Sequence, residues 1–184
     1  IPQSAIDKVL GVECPDAAKE FLLLQLLNYG EMLSSACRRA TNGSEKEQQR
    51  VDSILNAGPF DPVHAPNLSD YSFMKLGIIA RADDVIVKDI VGDKYTLFKS
   101  GITEMLFAGV PAGVFKGSRT DFGVVQIVET TNYTTEDGER KRTFVAERFD
   151  IGPFLPKGQN VGSRLGDEFK RNERQTDRRE FNPI

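Results

Sequence analysis

The sequence predicts an α+β fold: an N-terminal helical hairpin of two to three helices, then a mainly antiparallel β-sheet, then an extended C-terminal arm. Three observations carry this. As far as about residue 82, apolar residues recur at helical spacing. From Asp84 onward "VIVKDIV", "KYTLF", "GVVQIVETT" and "RTFVAERF" are β-branched and aromatic and are separated by turn residues. From Gly162 to Ile184 charges alternate around few large apolar side chains, too few to build a core. Helices followed by strands argue for α+β rather than alternating α/β. The organisation expected is one domain over 1–157, helical over residues 1–82 and sheet-forming over residues 83–157, followed by an arm over 158–184.

Each element has a local reason. Ser4 and Gly11 bracket a short helix from Ala5 to Leu10. Pro15 suits a first helical position, and Asp16 and Glu20 sit where the helix dipole favours acids. Leu22, Leu26, Tyr29, Leu33, Cys37 and Ala40 then follow helical spacing, with Cys37 read as a buried small residue. Leu23, Leu24 and Leu27 widen the stripe, so this helix is expected to pack on more than one side. After the stop at Thr41-Asn42-Gly43, Ser44 and Glu47 form the pattern of a capping box, and Val51, Ile54 and Leu55 form the inner face of a second helix. "NAGPFDPVHAPNLSD" contains three prolines and reads as an extended surface connection. "YSFMKLGIIARA" (71–82) reads as a third helix capped by Ser69 or Asp70.

In the second half, Val124–Thr131 and Arg140–Phe149 pair as a hairpin across Asp137-Gly138. Between the strand groups, "SGITEMLFAGVPAGVFKGS" is expected to pack against the sheet, with Ser100 and Glu104 hinting at one helical turn before Gly109-Val110-Pro111 stops it. Asp83-Asp84 marks a turn.

A chain of 184 residues is long enough for a real core, and its formal net charge of −3 argues against a nucleic-acid partner. No apolar run approaches the roughly 20 residues of a membrane-spanning helix, so the chain reads as soluble or peripheral. An N-terminal Ile1 suggests a processed precursor, organellar or secreted. Cys14 and Cys37 are too few for a disulfide framework.

The search for chemistry assigns no catalytic, metal or cofactor residue. His64, the single histidine, has no ligand spacing around it and reads as a solvated loop side chain. Glu129, Glu136, Asp137, Glu139 and Glu147 are interleaved with Arg140, Lys141, Arg142 and Arg148, which points to salt pairs. Glycines 109, 113 and 117 match neither phosphate-binding pattern. The arm is the remaining candidate: Leu165, Phe169 and Phe181 as anchors, with Arg174, Arg178 and Arg179 pairing with carboxylates of a partner. The expectation is a non-enzymatic, linker-type subunit that docks onto larger protein partners, with no cofactor. Two alternatives stay open: a carrier of a small apolar ligand lined by Phe107, Phe115, Phe122 and Phe144, and an enzyme without a recognisable motif.

Overall fold

The structure, a computed structural model, describes residues 3–41 and 43–156. Three N-terminal helices precede a seven-stranded, mostly antiparallel sheet, the α+β class that the sequence predicts. Helix α1 spans Gln3–Leu10, α2 Asp16–Ala40 and α3 Glu45–Ala57. The strands are β1 Ile79–Ala82, β2 Val85–Val91, β3 Tyr95–Ser100, β4 Thr103–Ala108, β5 Arg119–Thr120, β6 Gly123–Thr134 and β7 Arg140–Arg148.

The strand order is β1-β6-β7-β4-β3-β2-β5, and the two ends of this order are joined by covalent continuity. β1 runs into β2 across Asp83-Asp84, and β5 runs into β6 across Asp121-Phe122. The antiparallel register of β1 on β6, ending at Ala82↔Gly123, resumes unchanged between β2 and β5 at Val85↔Thr120. The corner itself is bridged by Phe122 N–H to Ala82 O (2.9 Å) and by Asp84 N–H to Asp121 Oδ1 (2.6 Å). Two bent strands thus close the sheet on itself, giving five strands around a barrel. β4 and β7 are parallel, pairing Leu106 with Val145 and Phe107 with Ala146. Taking each bent strand as one, the order around the barrel is first, second, third, fifth, fourth, the connectivity of the five-stranded Greek-key barrel of OB type.

Side chains fill the barrel interior. Ala80, Ala82, Val85, Phe98, Met105, Phe107, Phe122, Val125, Ile127 and Ala146 form one buried cluster. Phe107 and Phe122 stack at 4.1 Å between centroids, and Phe98 meets Phe122 edge-on at 5.0 Å. The opposite face of β1 meets the helices: Ile79 packs with Val9, Ala18, Phe21, Leu22, Leu26 and Phe60. α2 pairs with α3 through Tyr29, Ala36, Val51 and Ile54, which makes the predicted helical hairpin.

Several local expectations are overturned. Residues 71–78 are irregular and 79–82 form β1, because Gly77 adopts φ +89 and Ile79 and Ala80 are buried on opposite faces of a strand. Ser44 makes no side-chain cap bond to α3; the first turn is closed by backbone alone, Glu47 N–H to Ser44 O at 2.9 Å. A reciprocal cap forms instead at Asn67, where Asn67 Oδ1 accepts from Ser69 N–H and Asp70 Oδ2 accepts from Asn67 N–H. Ser100 and Glu104 belong to the β3–β4 hairpin, which turns at Gly101 with φ +59, so no helical turn forms there. The stretch 109–118 is largely exposed rather than laid on the sheet, with Phe115 66% exposed. Asp83-Asp84 does mark a change of direction, as the sequence indicates: the chain bends there between β1 and β2, with Asp84 at φ +50.

Candidate functional site

Two concavities flank α2. The first lies between α1 and α2, about 510 Å³ in volume, walled by Ile6, Leu23, Leu24, Leu26 and Leu27 and rimmed by Asp16, Lys19 and Glu20. Its origin is legible in the α2 stripe. Phe21, Leu22 and Leu26 face the barrel, and Tyr29 and Ala36 face α3, so Leu23, Leu24 and Leu27 are left as a further row that is only partly covered, with Leu23 at its inner edge against the helix–barrel cluster. Leu27 is 48% exposed. The stripe widens as the sequence indicates, but one of its flanks faces outward.

The second concavity, about 460 Å³, lies between α2, the proline-rich connection and β1, lined by Asn28, Glu31, Met32, His64, Asn67, Asp70 and Arg81 among others. Here α2 grips the connection through a polar row. Gln25 Nε2 donates to Asp61 O at 2.8 Å, and Asn28 Nδ2 donates to His64 O at 3.1 Å. Arg81 reaches from β1 to Pro62 O and pairs with Asp83.

His64 is therefore not a solvated loop side chain: it is only 1% exposed. Its ring meets Tyr29 edge-on at 5.1 Å, and Nδ1 lies 3.3 Å from Met32 Sδ. A thioether sulfur only accepts, so this contact is a hydrogen bond in the tautomer protonated at Nδ1, in which Nε2 is the acceptor. Nε2 is buried and has no hydrogen-bond partner. Burial pushes the imidazole pKa below 6.5, and the Asp61 charge opposes this. The Asp61 carboxylate is itself engaged at the start of the turn, where Oδ1 accepts from Val63 N–H at 3.0 Å. Nearby, the phenol of Tyr71, which donates to Ile79 O at 3.4 Å, is pushed up to about 12 by burial, then by Glu20 and Asp70.

The arm residues Leu165, Phe169, Arg174, Arg178, Arg179 and Phe181 lie outside the described residues. Of the four phenylalanines considered for an apolar pocket, Phe107 and Phe122 fill the barrel, Phe144 packs against that cluster, and Phe115 is exposed. Around the hairpin, Lys141 pairs with Glu139 at 3.1 Å and Lys116 with Glu136 at 2.6 Å, both at the surface. Cys37 is exposed rather than buried, and both Cys14 and Cys37 are free thiols. Among the described residues there is no group of three or more His, Cys, Asp and Glu that could hold a metal ion, and no helix is long and apolar enough to cross a membrane. Comparison with protein-family models, curated proteins and solved structures finds no match for this chain.

Sequence reasoning missed the His64 cleft. A signal was present: Gln25, Asn28 and Met32 interrupt the leucine-rich α2 at spacings of three and four, which aligns them on one helical face.

Proposed function

We propose that this chain is a non-enzymatic assembly subunit that docks onto a larger protein partner through its C-terminal arm, with Leu165, Phe169 and Phe181 as anchors and Arg174, Arg178 and Arg179 pairing with partner carboxylates. The observation that supports this reading most directly is the way the chain leaves the barrel. After β7, Phe149 stacks on Phe154 at 5.9 Å, a single 3₁₀ turn forms over Gly152–Phe154, and Phe149, Ile151, Phe154 and Leu155 pack into the apolar cluster of α1 and α2. The arm then starts from a fixed point on the helical face. A tether anchored at its root loses less conformational freedom on docking than one joined through a slack linker.

The test pairs capture with stability. Full-length protein and the Phe169→Ala/Phe181→Ala variant are used as bait in extract from the cells that make the protein, and both are melted. The reading expects one stoichiometric partner that the variant loses, with melting temperatures within a few degrees, since 1 kcal/mol moves a domain of this size by roughly 2–4 °C. Equal capture by both proteins overturns it.

A further inference from the structure

The leucine groove between α1 and α2 lies at the place where the arm begins. Ile6 and Leu23, two of its walls, belong to the same apolar cluster as Phe154 and Leu155, the last apolar side chains of the described chain. From Pro156 the chain continues for 28 residues, 157–184. Leu165 comes nine residues after Pro156, within roughly 30 Å of extended chain, and Phe169 thirteen residues after it, within roughly 43 Å. The part of α2 that lines the groove, from Asp16 to Leu27, is about 17 Å long, so both side chains can reach any point of it.

Charge favours the same encounter. Residues 157–184 hold seven basic and five acidic side chains, whereas residues 1–156 hold 17 basic and 22 acidic. The groove rim carries Asp16 and Glu20 with Lys19 between them, a net negative edge, and the arm sets Arg164 before Leu165 and Lys170-Arg171 after Phe169, with Asp167 and Glu168 between the two anchors.

We infer that in the free protein the groove holds the chain's own arm, with Leu165 and Phe169 against Leu23, Leu24 and Leu27. The inference rests on the arm-docking reading above and adds its regulation. The anchors that would engage the partner are covered until the partner competes for them, so groove and partner bind the same side chains in exclusion of one another.

The chain contains no tryptophan, so Phe169→Trp in the full-length protein installs a single indole reporter. In the purified variant the indole is expected to emit at short wavelength and to resist acrylamide quenching, independently of protein concentration, in a monomer by sedimentation. Adding Leu27→Asp, at a side chain already half exposed, is expected to shift the held-to-released ratio about tenfold or more towards release, with red-shifted emission and an unchanged helical circular dichroism spectrum. Adding Val110→Asp instead, at an exposed site on the barrel side, is expected to change nothing. Emission of a fully exposed indole that Leu27→Asp leaves unmoved overturns the inference. Short-wavelength emission that appears only with dimerisation also overturns it and assigns the groove to a second copy. Because this readout needs no partner, it can fail while partner capture through Phe169 and Phe181 stands. If both hold, Leu27→Asp captures more partner than the unaltered protein.

Discussion

Met32 Sδ lies 3.3 Å from His64 Nδ1, a contact that favours the tautomer protonated at Nδ1 in a histidine that is almost wholly buried. The neutral ring packs between α2 and the proline-rich connection, so it belongs to the fold. His64→Ala is expected to cost about 2–4 kcal/mol, the range for truncating a buried ring. Met32→Leu keeps the volume but removes the acceptor, and is expected to cost about 1 kcal/mol. Urea denaturation of the two variants measures both, and a loss under half a kcal/mol for His64→Ala would show that the ring contributes no packing.

The same burial sets a pH dependence. In the folded protein the His64 pKa lies below 6.5, whereas in the unfolded chain it is about 6.5. Between those values the unfolded state binds more protons than the folded state, so stability falls as pH drops below about 6.5 and is fully present above it. His64→Gln cannot take up that proton. Denaturation midpoints measured from pH 7.5 to 5 are expected to decline more steeply for the unaltered protein than for His64→Gln; parallel curves would contradict the assignment.

Neighbouring leucines on α2 should behave differently. Leu26 is 1% exposed within the cluster that joins the helices to β1, so Leu26→Ala is expected to cost about 2–5 kcal/mol. Leu27 faces the groove, and Leu27→Ala is expected to cost under about 1 kcal/mol. Chemical denaturation of the pair decides whether the groove is a binding surface or an extension of the core.

Asp84 sits at the barrel corner with φ +50, a conformation that a β-branched side chain adopts poorly. Its ion pair with Arg119, 2.7 Å long, is well exposed at both ends. Backbone conformation therefore outweighs charge at this position. Asp84→Gly is expected to be neutral within about 0.5 kcal/mol and Asp84→Val to destabilise by about 1–3 kcal/mol in thermal melts. The reverse order would place the ion pair first.

What could be read ahead of the structure divides by range of interaction. α2 and the β6–β7 hairpin announce themselves locally, through a leucine stripe and through Asp137-Gly138 between two β-branched runs. Residues 71–82 do not, because Ile78 and Ile79 satisfy a helical period as well as a strand, and only pairing with residues 123–126 selects the strand. Ser44 and Glu47 match a cap by spacing, yet the cap depends on a side-chain rotamer that sequence leaves open. Barrel closure and the parallel pairing of β4 with β7 join residues about 40 apart, for which one sequence carries no local mark. The His64 site is of the same kind, since its ring is buried by residues from a helix some 30 positions earlier.

The closed barrel also governs how this protein can meet others. Between β1 and β6 and between β2 and β5 the backbone groups are already paired, which leaves no open sheet edge there for another chain to extend. Beyond the barrel wall, β6 and β7 run on as a two-stranded ribbon, and the β7 edge of that ribbon begins with Arg140, Lys141 and Arg142, charges that repel an incoming strand of like kind. Recognition by strand addition is therefore disfavoured at both places. A partner met at these two places is met through side chains, and among the described residues a row of apolar side chains is offered by helix α2.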